Sequence, residues 1–193
     1  MASRRGVPGS MPSLVIREAT GTPTMMLNQA TWWRIGRMNL AIHGLSGNVA
    51  MTQGGSLLND AHPTLKADFV IANPPFDRKK WGAGQVADGA RWKWGLPPDG
   101  NANYAWIQHF ASHLGLNGRA GFVVANGSLT STQSGEGAIR EALIRDDLVD
   151  CIVALPGQLF YTTGIRVCLW FFDGATPRGG ADVYVKSGRC THW

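Results

Sequence analysis

Four short apolar runs constrain this chain more than anything else in it. Residues 68–72 (DFVIA), 120–125 (AGFVVA), 150–155 (DCIVAL) and 167–172 (VCLWFF) have the length and composition of buried strands. Their hydrophobicity is continuous, not alternating, which predicts a parallel or mixed sheet covered on both faces. Helical spacing fills the gaps between them. Residues 104–116 set Trp106, Ile107, Phe110, Ala111 and Leu114 on one face, and residues 135–148 do the same with Ile139, Leu143, Ile144 and Leu148. Strand, helix, strand, helix, strand is the order of an α/β sheet with crossover helices. An earlier helix starts at Thr31, with Trp32, Ile35, Met38 and Ile42 three and four residues apart and Gly44 placed to end it. Residues 182–185 read as a last strand.

Length and composition fit one domain: 193 residues, 44% hydrophobic and 16% charged, enough apolar material for a core and too much for a disordered chain. No stretch approaches the roughly 20 apolar residues of a membrane span, and residues 6–13 are not the apolar core of a signal peptide. Cys151, Cys168 and Cys190 form no metal-spaced pair and no even disulfide set, so the expectation is a reduced, cytoplasmic chain with Cys151 and Cys168 as small core residues. The net charge of +5 suits a polyanionic partner, although Arg78, Lys79 and Lys80 are the only basic run of three. Residues 1–12, rich in Gly, Pro, Ser and Arg, predict a flexible start. Leu14-Val15-Ile16 could form a strand, but nothing in the neighbouring sequence supports one.

The strand 68–72 runs directly into Asn73-Pro74-Pro75-Phe76. Two prolines remove two backbone donors and hold the chain extended. Asn73 then offers an amide at the carboxyl end of a strand, the edge where open α/β sheets bind ligands. Such a set could hold a planar ring bearing an exocyclic amine. Phe76 would stack on the ring, while the Asn73 side chain and the Pro74 carbonyl accept the amine hydrogens and keep the nitrogen lone pair free for an electrophile. The same four residues could merely end a strand and pack a phenylalanine. Residues 77–103 follow, a long Gly-, Lys-, Arg- and Trp-rich loop of the kind that is more often functional than idle.

This tetrapeptide, preceded by Ala67-Asp68-Phe69-Val70-Ile71-Ala72, resembles the catalytic motif of amino-methyltransferases acting on adenine in DNA. Further stretches, in order over residues 28–173, resemble the modification subunit of type I restriction–modification systems. They are Arg37-Met38-Asn39-Leu40-Ala41-Ile42-His43-Gly44, Gly95-Leu96-Pro97-Pro98 with Gly100-Asn101-Ala102-Asn103, Gly118-Arg119-Ala120-Gly121-Phe122-Val123 with Asn126-Gly127-Ser128, and Leu155-Pro156-Gly157-Gln158-Leu159-Phe160. The resemblance implies an S-adenosylmethionine-dependent methyltransferase fold, a mostly parallel sheet with helices on both faces. It implies methyl transfer from S-adenosylmethionine to the exocyclic nitrogen of an adenine flipped out of double-stranded DNA. Asn73 and Pro74 would orient the amine, Pro75 would fix the turn, and Phe76 would stack on the base. The implied partners are double-stranded DNA and the specificity and restriction subunits of a type I complex.

The family also places a Gly-rich turn after its first strand for the cofactor's methionine end, and no such element precedes Asn28. An acid for the cofactor ribose falls near Met25-Met26. The acid of a Gly-Asp-Ser/Thr-Leu stretch, expected at the adenine end, is replaced in Gly54-Gly55-Ser56-Leu57. Asn73 and the Gly55 position are therefore the candidate cofactor contacts, Gly55 marking a missing carboxylate. The resulting division is a flexible or foreign segment 1–27, a partial catalytic domain 28–186 with its amino-terminal part truncated, and a tail 187–193. The alternative is a non-catalytic remnant that keeps the fold core and some DNA or subunit binding.

The remaining expectations concern single groups. Arg78, Lys79, Lys80, Arg91, Trp92, Lys93 and Trp94 are candidates for DNA contact, although the tryptophans could equally fold back over the sheet. The Ser/Thr-rich residues 128–134 could carry phosphate contacts. His43 reads as a capping or packing residue. His109 and His113, four apart, have a metal-chelating spacing, but with no third ligand evident the expectation is a pair of exposed helix histidines.

Overall fold

The computed structural model describes residues 13–17, 23–27, 30–51, 55–75, 78–157, 164–175 and 184–187. They build one eight-stranded sheet with three helices. In chain order these are β1 (Ser13–Arg17), β2 (Pro23–Leu27), α1 (Ala30–Ile42), β3 (Asn48–Met51), β4 (Ala67–Asn73), α2 (Asn103–Ser112), β5 (Leu114–Ala125), α3 (Glu136–Arg145), β6 (Val149–Ala154), β7 (Val167–Asp173) and β8 (Tyr184–Ser187). The strand order is β3-β2-β1-β4-β5-β7-β6-β8. β1 and β7 run opposite to the other six strands, so the sheet is mostly parallel in direction.

The four apolar runs all become strands, and the helical patterns between them become α2 and α3. α2 ends at Ser112, before the end of its periodic pattern, because Leu114 already enters β5. Early in β5 the chain passes so close to β4 that a Cβ on Gly118 would lie 2.5 Å from the Ala67 carbonyl oxygen, which only glycine permits. At the end of α1, Gly44 takes φ +64° while Leu45 N–H donates to the Leu40 carbonyl at 2.9 Å, a glycine stop of the expected kind. The stripe expected on α1 is largely outside the core: Met38 and Ile42 are exposed, Ile35 is half-buried, and Leu40 is the buried residue.

Two features depart from the sequence reading. Leu14-Val15-Ile16 is a strand, supported by neighbours far away in sequence: β1 pairs with β4 in the register Leu14 to Ala72 and Val15 to Ile71, and with β2 through Leu14 to Met26. Residues 13–17 and 23–27, within the segment 1–27 read as flexible or foreign, thus pair into the sheet. Second, the expectation of burial on both faces fails over β4, β5 and β7 among the described residues. Val70, Ala72, Ala120, Phe122, Val124, Cys168, Trp170 and Phe172 form the core with α2 and α3, whereas Phe69, Ile71 and Phe171 point the other way and are exposed. Chain direction explains this. The β4-α2-β5 and β5-α3-β6 connections travel the same way across the sheet, so right-handed crossovers put both helices on one face, and the opposite travel from β2 to β3 puts α1 on the other face at the far end.

Candidate functional site

Parallel strands bring several chain segments out at one edge. Asn73 ends β4 exposed, Pro74 beneath it is buried and Pro75 half-buried. Neither proline has an amide hydrogen to draw on neighbouring carbonyls, so the Asn73 side chain and the Pro74 carbonyl are the polar groups of the turn. Phe76, expected to stack on a base, lies outside the described residues. β5 ends at the same edge, beside β4, and leads into Asn126, whose amide donates to the Arg166 carbonyl at 2.9 Å. Beyond it, Tyr104 Oη donates to the buried Ser128 carbonyl at 2.6 Å, and Arg140 Nη1 donates to the carbonyls of Ser128 (3.1 Å) and Ser131 (2.9 Å). Burial pushes the Tyr104 hydroxyl up to about 12, against the pull of Arg140, so it stays a donor. The Ser/Thr loop is therefore anchored at its start, while residues 132–134 stay exposed.

The loop after the motif is knit to the domain. Trp81 and Trp92 are buried and meet edge to face at 5.4 Å between centroids, Trp81 Nε1 donating to the Pro98 carbonyl at 3.0 Å. Asp99 Oδ1 accepts from the amides of Ala83 (2.9 Å) and Gly82 (2.8 Å), bonds that hold its carboxyl below the usual range. Asp146 takes both Lys93 Nζ at 2.7 Å and the Trp94 indole N–H at 2.8 Å. Of the two placements open to the tryptophans, the structure takes the folded-back one. Arg78, Lys79 and Lys80 are exposed just past the Asn-Pro-Pro turn.

Arg91 points inward. Its Nη2 donates to the Leu57 carbonyl (2.6 Å), and its Nη1 to the Ser56 carbonyl (3.2 Å) and to His109 Nδ1 (3.0 Å). It thereby ties the long loop to the turn at Gly55, where φ is +88° and the Gly55 carbonyl accepts from the amides of Leu58 and Asn59. The expectation of exposed histidines is wrong: His109 and His113 are buried because α2 packs into the core on all sides. Asp60 supplies the third group, its Oδ2 lying 3.0 Å from His113 Nε2. Burial works against the Asp60 charge, but the His113 hydrogen bond and the His62 amide outweigh it and hold the carboxyl down at about 2. Burial first, and the neighbouring His113 second, push His109 down to about 3.

The ligating atoms of Asp60, His109 and His113 lie within 4.8 Å of one another. They do not form a metal seat. Arg91 has only hydrogens to offer, so His109 Nδ1 is the acceptor and the ring hydrogen sits on Nε2, leaving no lone pair there for a cation. Sequence reasoning missed this group because Asp60 reaches it only through the packing of the 55–66 segment on α2. The one available signal was the His-x-x-x-His spacing.

The cofactor seat implied by the resemblance can be tested against these elements. β1 runs antiparallel to β4, with Ser13 opposite Asn73 and Arg17 opposite Phe69. The exit of β1 therefore lies at the edge away from Asn73. Gly55 carries no carboxylate, and Asp60 is committed to His113. The described residues do not fit S-adenosylmethionine as the family pattern would hold it.

A mostly parallel sheet of this order, with a polar Asn-Pro-Pro turn at the carboxyl edge of a central strand, has the fold of S-adenosylmethionine-dependent methyltransferases. A Listeria monocytogenes protein assigned to class I of those enzymes superposes with a TM-score of 0.64 at 13% identity, over 84% of this chain and 48% of that one. The type I restriction–modification methyltransferase subunit from Streptococcus thermophilus superposes with a TM-score of 0.73 at 26% identity, over 83% of this chain and 34% of that one. Residues 26–189 match the N-6 DNA methylase family. The chain belongs to that family. It is 43% identical over 157 residues to the type I restriction enzyme HindI methylase subunit of Haemophilus influenzae, covering 81% of this chain, and spans 35% of that relative's length. Against the MjaIX methylase subunit of Methanocaldococcus jannaschii it is 43% identical over 151 residues, 75% of this chain and 26% of that protein.

Proposed function

We propose that this chain carries the base-holding part of a site-specific N6-adenine DNA methyltransferase of a type I restriction–modification system. The observation that carries the reading is the Asn73-Pro74-Pro75 turn, exposed at the carboxyl end of a central strand in a chain of the N-6 DNA methylase family. An adenine turned out of double-stranded DNA would place its exocyclic amine against the Asn73 side-chain oxygen and the Pro74 carbonyl. Both accept hydrogen, so the amine nitrogen keeps its lone pair out of the ring and aimed at an electrophile. Phe76 would cover the ring, and Arg78, Lys79 and Lys80 would meet the flanking phosphates. S-adenosylmethionine is the methyl donor that the resemblance implies. The amine is itself the nucleophile, so Cys151 and Cys168 need no chemical role, and neither forms a disulfide. A specificity subunit would choose the DNA sequence, a restriction subunit would complete the complex, and the setting would be cytoplasmic; among the described residues no helix is long and apolar enough to cross a membrane.

A second reading, a non-catalytic remnant with DNA or subunit binding, is favoured by the reversed β1 and the missing carboxylates. Calorimetric titration of the purified chain with S-adenosylmethionine separates the two. Saturable micromolar binding supports the enzyme, and its absence from a demonstrably folded chain supports the remnant. If the chain methylates DNA with a specificity subunit, Asn73→Ala abolishes methylation and leaves cofactor affinity largely intact. An Asn73→Ala chain that methylates like the parent removes the base-holding assignment.

A further inference from the structure

The chain that follows the Asn-Pro-Pro turn is held in a conformation that its residues do not favour. Lys80 takes φ +51°, a left-handed conformation uncommon for a long side chain, and Gly82 takes φ +94°. Trp81, between them, is buried and donates to the Pro98 carbonyl. What fixes the segment is the turn at residues 97–102. The Asp99 carbonyl accepts from the Lys80 amide at 2.8 Å, and the Arg78 carbonyl accepts from the Ala102 amide at 2.9 Å. The Asp99 carboxylate accepts from the amides of Gly82 and Ala83. These bonds bracket Arg78, Lys79 and Lys80, like charges exposed side by side. Solubility alone asks for no such order, because a loose run would keep its charges hydrated and further apart. A backbone conformation off the favoured regions persists only where its surroundings over-determine it, and such positions cluster where a fixed geometry serves a ligand.

We propose that the turn at residues 97–102 is a brace that pre-organises Arg78, Lys79 and Lys80 for the phosphates of DNA, with Asp99 as its positioning residue. An acid beside a phosphate-binding run weakens it by charge alone, so its presence needs a gain of another kind. That gain is order. The Asp99 carboxylate holds two backbone amides just past the run, and its carbonyl holds the strained Lys80. Ordering the cations in advance removes an entropy cost that binding would otherwise carry. Phosphate contacts carry no sequence information, so the brace sets affinity and register while sequence choice stays with a specificity subunit. This inference rests on the DNA reading above and adds to it how the cations are held.

The test compares the parent chain with Asp99→Ala, both checked for folding by their melting curves. Limited trypsin digestion reads the brace without DNA. Cleavage after Arg78, Lys79 and Lys80 quickens by about threefold or more in Asp99→Ala, within what one exposed charged contact contributes, while cleavage elsewhere is unchanged. Binding to a short mixed-sequence duplex at low salt reads the ligand. If only charge mattered, removing an acid from a chain of net charge +5 would tighten that binding. The brace predicts the opposite, a loss of about threefold or more with a shallower salt dependence. The loss disappears when Asp99→Ala is added to a chain in which Arg78, Lys79 and Lys80 are all replaced by alanine. Asp99→Asn, which keeps an acceptor for the two amides, retains most of the parent's affinity. Unchanged cleavage, duplex binding by Asp99→Ala equal to or tighter than the parent's, or an equal loss in the triple-alanine background overturns the proposal and leaves the DNA reading in place. A parent chain that binds no duplex at low salt overturns the DNA reading itself, and this proposal with it.

Discussion

The two faces of the central sheet were built from the same kind of sequence and ended differently. On one face Phe122 sits 5.0 Å from both Phe110 and Phe172, with Trp170 and Tyr104 closing the cluster. On the other, Phe69 is 51% exposed and Ile71 65%. Two crossovers travelling the same way put α2 and α3 on the first face, and among the described residues no helix crosses the second face over β4, β5 and β7. β1 and β2 are joined as an antiparallel pair across residues 18–22, too short a link for a crossover helix. A parallel β1 would require a helix before β2, and travel from β1 to β2 would set that helix on the bare face. The same reversal carries the exit of β1 away from Asn73.

The largest expected effect tests the covered side. Phe122→Ala should destabilise the chain by about 3–5 kcal/mol, since it opens a cavity among rings that cannot all collapse into it. Phe171→Ala, on the bare side, should cost less than about 1 kcal/mol. Urea unfolding of both variants checks the pair. Equal losses would break the comparison and mean that something covers Phe171 in solution.

Acid should act through the covered side as well. His109 is buried neutral, its value lowered from 6.5 to about 3, so the unfolded chain binds the extra proton between those values. Its contribution is complete above pH 6.5 and shrinks as pH falls towards 3. Asp60, lowered from 3.8 to about 2, adds a loss confined to that lower window. The melting temperature should therefore fall by several degrees between pH 7 and pH 4, and His109→Gln should flatten the fall. A parent chain with a level profile over that range would mean that His109 is not buried as a neutral group.

How much of this could be read in advance depends on where the partner of each residue lies. The runs at 68–72 and 167–172 declared themselves because five or six consecutive apolar residues have few homes other than a sheet. The Asn-Pro-Pro turn was legible for a local reason, two prolines fixing the chain whatever surrounds it. Leu14-Val15-Ile16 was not, because what makes it a strand is Ala72, Ile71 and Val70 alongside, far away in sequence. His109 and His113 misled for the same reason: spacing gives their relation to each other, while burial and the Asp60 and Arg91 contacts come from segments that only the fold brings together.

The smallest expected effect on stability is the most direct probe of the bare face. Ile71 stands between Phe69 on its own strand and Gly121 on β5, its register partner, with Phe171 opposite Gly121 on β7. A Cβ on Gly121 would lie 3.4 Å from the Phe171 ring, so that ring leans across β5 and prolongs the apolar patch. A lysine at 71 would put a solvated charge in the middle of it. If water covers the patch, Ile71→Lys should change unfolding free energy by no more than about 0.5 kcal/mol. It should at the same time lower self-association in sedimentation and binding of an apolar dye, because contiguous exposed apolar surface is what drives both. A loss of several kcal/mol instead would mean that the charge is being buried. The continuous hydrophobicity of the strands would then describe the protein in solution more faithfully than the open face does.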